Sequence, residues 1–470
     1  QVAISAIKHK DKHQYGLQFH PEVDLTTNGK QIFKNFIDVC KCDDSFNLSN
    51  RLSVEIDNVK RVVGNKHVVV LASGGVDSTV CAKLLFSALP RENVHVIHID
   101  NGFMRMNESD VVKAALGSTF HGNEIKVVRC QNDFLNASTE INGIMTEKLC
   151  ETTNPEVKRK IIGDMFMKII TKEIDGLQLK EYLLVQGTLR PDLIESASHL
   201  ASTKADVIKT HHNDTNLVRQ KRKEGLILEP LKDYHKDEVR TLGKMLGLSD
   251  EMVWRHPFPG PGLAIRILCQ TDDVIIPNEK EILARLNRYQ TADMRIDLLP
   301  IKSVGVQGDG RTYSFVAGIS SDVTDWGLLF RIAREIPKDV HEINRVVYIF
   351  GGKINEFVPT ITRTVLGIDS VNQLRVADGI FNESVGEFGK LISQAPVILT
   401  PLNFGLDGGR SIVIRPFVTR DFMTGVPAVP GIDIPEHIIT NTVNKMLGTP
   451  KISKIMYDLT SKPPGTTEWE

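Results

Sequence analysis

Six consecutive residues, Ser73-Gly74-Gly75-Val76-Asp77-Ser78, combine backbone freedom with the donors that an anion requires. They follow Val68-Val69-Val70-Leu71-Ala72, a continuous apolar run expected of a strand buried on both faces. A helical pattern through Val80, Leu84 and Leu85 comes next. Glycines let the main chain approach an anion closely. A helix N-terminus presents unbonded N–H groups and a positive dipole end. Ser73 and Ser78 add hydroxyls. The chemistry these residues point to is a pyrophosphate cradle. It is neither a Walker A loop, since no G-x-x-x-x-G-K-S/T occurs, nor the dinucleotide G-x-G-x-x-G. Asp77 is a candidate Mg²⁺ ligand or water holder, with helix capping as the alternative.

Other residues carry chemistry at longer range. Arg190 and Asp192 follow the apolar segment Tyr182-Leu183-Leu184-Val185-Gln186, where open α/β sheets bind ligands. An ion pair between Arg190 and Asp192 or Glu195 is the alternative. Lys209 lies beside His211 and His212, a compact charge suited to phosphate. Phe258 offers an aromatic face, for stacking or for packing. His20 and Glu22 place an imidazole and a carboxylate two residues apart.

These residues need a scaffold. Val68–Ala72, Val94–Asp100, Lys126–Cys130 and Tyr182–Gln186 read as strands alternating with helices, which predicts an open, doubly wound parallel sheet. Pro257-Phe258-Pro259-Gly260-Pro261-Gly262 is the strongest punctuation in the chain and marks a domain boundary. Beyond it one pattern occurs twice: strand, Gly-Arg-hydroxyl turn, strand, helix, strand ending in Tyr. The first copy runs through Leu298–Ile301, Gly310-Arg311-Thr312 and Asn344–Tyr348. The second runs through Pro396–Leu399, Gly409-Arg410-Ser411 and Ser453–Tyr457. The order predicts a duplicated α+β unit.

Composition excludes several classes. Lys+Arg total 57 and Asp+Glu 58, for a net charge of -1, so no global basic field would draw nucleic acid. No apolar run approaches the roughly 18 residues of a membrane span. Six cysteines in 470 residues make no disulfide framework, and Cys40 and Cys42 are too close for ordinary zinc spacing. A reduced, cytosolic compartment is expected.

Ser73–Ser78 after a strand resembles the PP-loop of the ATP pyrophosphatases, which split ATP between the α and β phosphates. His20-Pro21-Glu22 resembles the end of a class I glutamine amidotransferase domain. Four further strings are similar to the GMP synthetase family: Gly187–Ser196, Ile208–Asn213, His256–Leu263 and Lys462–Glu470. The second C-terminal copy resembles the longer, animal-type form. The resemblance implies ATP, Mg²⁺ and XMP as reactants, with glutamine or ammonia as nitrogen source. It implies that Ser73, Gly74, Gly75, Val76, Asp77 and Ser78, with Phe258, bind ATP. Lys209 would act catalytically from a lid, and Arg190, Asp309, Gln394, Lys462 and Glu468 would contact XMP. His20 and Glu22 match the last two members of a Cys-His-Glu triad. The nucleophilic Cys is expected well upstream, so a fragment lacking most of that domain is implied.

The expected organisation is an amidotransferase remnant (1–39), a linker (40–60), a PP-loop domain (61–262) and a C-terminal domain (263–470) with units near 296–350 and 394–470. Oligomeric state stays open between a monomer holding an internal pseudo-dimer and a homodimer. Competing readings are another PP-loop enzyme, such as an NAD or asparagine synthetase or a tRNA-thiolating enzyme, and a non-catalytic interaction protein that keeps the fold. The absence of a basic domain or paired catalytic cysteines speaks against tRNA. The intact Ser73–Ser78 motif and Lys209 speak against the non-catalytic reading.

Overall fold

The structure is a computed structural model that describes residues 4–23, 26–42, 47–119, 125–190, 221–254, 258–307, 310–355, 359–386, 388, 392–419 and 424–470. Lys209, Asp192 and Asp309 lie outside the described residues.

Five strands form one sheet: β1 (His67–Leu71), β2 (Val94–Asp100), β3 (Lys126–Arg129), β4 (Tyr182–Val185) and β5 (Ile227–Leu228). Their spatial order is β3-β2-β1-β4-β5, and every pair is parallel. β5 is too short to stand out in the sequence. The apolar run of β1 is explained by burial on two faces. Val68 and Val70 pack against α1 (Leu48–Val63), α2 (Val76–Ala88) and α5 (Lys236–Met245), while Val69 faces α4 (Pro155–Gly176). A further helix, α3 (Glu108–Thr119), follows β2.

Residues 40–60 are not a linker throughout. From Leu48 onward they belong to α1, whose Leu52, Val59 and Val63 are buried in the core of the parallel sheet. The polar residues between them read as linker text because only one stripe of an amphipathic helix is apolar.

The C-terminal part builds one six-stranded sheet. Its elements are β6 (Met294–Gln307), β7 (Gly310–Ser321), α6 (Trp326–Asp339), β8 (Ile343–Ile349), α7 (Ile368–Val385), β9 (Val397–Thr400), β10 (Arg410–Ile414), α8 (Glu436–Leu447) and β11 (Ile452–Asp458). The order β6-β7-β8-β11-β10-β9 reads as two mirrored halves. Each half is an antiparallel pair followed by a parallel strand reached through a helix. The halves join antiparallel at the centre, where Tyr348 sits opposite Tyr457. The duplicated α+β pattern therefore exists, and its two copies close into a single sheet.

The last residues are drawn into this core. Trp469 is fully buried, and its indole Nε1 donates to Asp458 at 2.9 Å. Asp458 also accepts from Arg345 at 3.0 Å and Arg415 at 2.8 Å, all three side chains being inaccessible to solvent. Burial would raise the Asp458 carboxyl, but the two guanidinium groups hold it below the usual carboxylate range. The chain end also reaches α4: Lys158 is buried in an ion pair with Glu470, and Arg159 donates to the Glu470 carbonyl.

Among the described residues, no helix is long and apolar enough to cross a membrane.

Candidate active site

The cradle occupies the C-terminal end of β1, between β1 and β4, where the strand order reverses. In an open parallel sheet this is the crevice that takes ligands. Gly74 has φ +83°, a left-handed conformation that only glycine adopts without strain. Gly75 caps α2, and its carbonyl accepts from Thr79 N at 3.2 Å, the first bond of that helix. The N–H groups of Val76, Asp77 and Ser78 precede that bond and have no intrahelical partner. Hydroxyls brace the turn: Ser73 Oγ and Ser78 Oγ lie 3.2 Å apart, Gly75 N–H donates to Ser73 Oγ at 3.3 Å, and Ser78 Oγ donates to the Gly75 carbonyl at 3.1 Å. Val76 is different. Its side chain is in the core, so only its backbone can serve an anion.

β4 closes the cradle from behind. A Cβ on Gly187 would lie 3.3 Å from both Asp77 C and Ser78 N, backbone atoms that cannot turn aside. Buried His98 ties the preceding residue down, with Nδ1 donating to the Ala72 carbonyl at 2.7 Å and Nε2 lying 3.0 Å from Ser109 Oγ. The carbonyl can only accept, which fixes the proton on Nδ1.

Asp77 does not cap its helix. One oxygen, Oδ2, pairs with Lys236 at the start of α5. The other, Oδ1, is buried and has no hydrogen-bond partner among the described residues. A carboxylate oxygen left without a partner in the first turn of α2 has the hard-donor chemistry that suits a cation such as Mg²⁺. The described residues hold no cluster of three or more His, Cys, Asp or Glu suited to a metal.

Gln394, Lys462 and Glu468, all predicted from the C-terminal part, fall into two groups. Gln394 exchanges backbone hydrogen bonds with Phe417, at 3.2 and 2.8 Å, and its buried Oε1 has no partner among the described residues. Lys462 pairs its backbone with Gly425, at 2.9 and 3.1 Å. The short hairpin Phe417–Val418 with Val426–Pro427 connects these two pairs, so residues 68 positions apart in sequence share one locale. Glu468 belongs to the second group. Arg266 holds its carboxylate through two hydrogen bonds, at 3.0 and 2.8 Å. Burial would raise the Glu468 carboxyl, but Arg266 keeps it below the ordinary range. Arg266 also approaches Asp378 at 3.8 Å, and Asp378 receives Arg105 at 3.2 Å. Both guanidinium groups lie against the Phe258 ring, at 4.6 Å for Arg105 and 5.5 Å for Arg266. Phe258 is thus a cation-bearing ring at the seam, a setting its sequence did not reveal.

Arg190 is exposed, and its N–H donates to the Tyr234 carbonyl at 3.1 Å. His20 Nδ1 lies 2.8 Å from Glu22 Oε1 at the surface, so the expected imidazole–carboxylate contact forms.

Sequence reasoning missed Lys236, Arg266 and Asp378. Two signals were available. Arg266 is a lone charge within Leu263-Ala264-Ile265-Arg266-Ile267-Leu268, which demands a buried partner. Lys236 stands in the first turn of a helix, against the dipole.

Comparison with known proteins adds a family. The model for glutamine amidotransferase class-I matches residues 1–40, and that for the GMP synthase C terminal domain matches residues 388–469. GMP synthase (glutamine-hydrolysing) from Dictyostelium discoideum is 48% identical across 99% of this chain and 71% of its own length. A probable GMP synthase (glutamine-hydrolysing) from Caenorhabditis elegans is 43% identical across 99% and 72%. One from Leptospira interrogans is 34% identical across 99% and 74%.

Proposed function

The chain belongs to the glutamine-hydrolysing GMP synthase family, and from that premise we propose how its own residues carry out ATP-dependent GMP synthesis. The C2 oxygen of XMP is a poor leaving group. It attacks the α-phosphorus of ATP, an O–P bond forms, the bond to the β-phosphate breaks and diphosphate departs. Ammonia from glutamine then attacks C2, the C–N bond forms, and AMP leaves with the former C2 oxygen. One observation carries the assignment of the first step: the Ser73–Ser78 turn sits at the strand-order reversal and opens α2, whose first N–H groups have no intrahelical partner. Those donors are fixed before the reaction and stabilise the charge that develops on diphosphate.

We assign the adenine to the Phe258 side of the crevice. XMP goes to the C-terminal unit, with Gln394 reading the purine edge and Lys462 meeting the monophosphate. The buried Oε1 of Gln394, without a partner among the described residues, supports this reading, because such an atom costs free energy until a donor reaches it. Glu468 acts there through Arg266, which it orients. Arg190, Asp309 and Lys209 complete the site by resemblance. Mg²⁺ would be held by Asp77 through Oδ1 and would neutralise charge on the transferring phosphates.

The division at 61–262 and 263–470 is proposed with its first bound moved back to Leu48, so that α1 joins the PP-loop domain and the linker ends before it. The antiparallel join of β8 and β11 supports an internal pair of units within one monomer. All six cysteines are free, which suits a reducing cytosol.

Diphosphate release with ATP, with and without XMP, on ammonium salt tests the reading. XMP-dependent release with GMP formed is expected. Release without XMP would assign the site to a different acceptor.

A further inference from the structure

The acidic residue of the cradle is held from outside the loop. Lys236 Nζ pairs with Asp77 Oδ2 across 159 residues of sequence. The contact is partly sheltered, with 20% of the lysine and 27% of the aspartate side chain exposed. We propose that Lys236 is a positioning residue for ATP: it cancels the charge of Asp77 so that a polyphosphate can enter the cradle. The inference rests on the ATP reading given above.

The physical problem is local. Asp77 lies in the first turn of α2. Its carboxylate therefore shares the positive dipole end that must receive an anion. Unpaired, it would both occupy that field and repel the incoming phosphates. Pairing through Oδ2 alone removes the repulsion and leaves Oδ1 buried, with no hydrogen-bond partner among the described residues.

The position of Lys236 supports a role outside its own helix. Asp237 and Glu238 beside it favour the dipole of α5, and Glu238 closes the capping box by accepting from His235 N–H at 2.8 Å. Lys236 opposes that dipole, so its placement costs the helix stability that the Asp77 contact offsets. One turn on, Arg240 adds a second positive charge. Burial lowers its pKa and Asp77 counters that shift, while its guanidinium rests 4.8 Å from the Trp254 ring centroid. α5 thus supplies the positive charges near Asp77, while the first N–H groups of α2 keep no intrahelical partner.

A double-mutant cycle on the 470-residue chain tests this, with equilibrium binding of the magnesium salt of ATP as readout. Lys236→Met should weaken ATP binding about tenfold. Lys236→Arg should recover most of the loss, and neither should move XMP affinity or the thermal midpoint. In an Asp77→Asn background, Lys236→Met should have no further effect, because the charge to be cancelled is gone. Equal weakening in both backgrounds would overturn the proposal and place the ammonium on the phosphate itself. Unchanged ATP affinity in Lys236→Met would also overturn it. So would a fall in thermal midpoint in both Lys236 variants, which would mean a structural role. If the unsubstituted chain binds no ATP, the functional reading fails and takes this inference with it.

Discussion

At the residue scale, the active site depends on what cannot be placed there as much as on what is. Gly74 supplies a left-handed turn, and Gly187 supplies empty space behind Asp77 and Ser78. A Gly187→Ala substitution should displace the cradle by a few tenths of an ångström and lower turnover at least about tenfold, since small misplacements are costly in a preorganised site. Steady-state kinetics would check this; an unchanged kcat would mean that the cradle yields freely. Asp77→Ala should abolish diphosphate release while the thermal midpoint stays within a few degrees, because the side chain is partly exposed and forms no part of the core. Retained release would remove the PP-loop assignment.

The element scale concerns the final strand and tail. Asp458 at the end of β11 carries two buried arginines, and both lose their counter-charge if it goes. Asp458→Asn should cost about 3–5 kcal/mol by denaturant unfolding, the loss typical of an uncompensated buried charge. Asp458 and Glu468 both have depressed folded-state pKa values. Their stabilisation is thus full above the unfolded carboxylate range and is lost as pH falls below about 4. Glu468→Gln should flatten that acid limb of the melting profile. An acid limb identical to that of the unsubstituted protein would show that the Arg266 pair contributes nothing to it.

At the scale of the whole molecule, the two sheets are joined by charge as well as by apolar packing. The Arg105–Asp378–Arg266–Glu468 series and the Lys158–Glu470 pair cross the seam between the parallel-sheet unit and the C-terminal unit. Arg375 on α7 adds hydrogen bonds to the carbonyls of Gly102 and Met104. On the assignment proposed above, a chain end fastened in this way would bring Lys462 to XMP while ATP is held by the parallel-sheet unit. Lys462→Ala should therefore raise the KM for XMP several-fold more than the KM for ATP, a split expected when one phosphate contact is removed. The reverse split would move XMP away from the tail.

Elements with strong local signals were legible in the order of amino acids alone. The glycine-serine turn after an apolar strand marked the cradle, and alternation of strands and helices predicted the parallel sheet. The repeated Gly-Arg-hydroxyl pattern predicted a duplicated unit. Each signal lies within a few tens of residues, where backbone chemistry and periodicity act directly. Tertiary structure decided what depends on distant partners. α1 was hidden because its polar positions outnumber its buried stripe. Two copies of one pattern do not state whether they stand apart or share a sheet, and the Tyr348–Tyr457 register settles that. Lys236 gives no local sign of Asp77, because an ion pair is a fact about space, and 159 residues of chain separate its two ends.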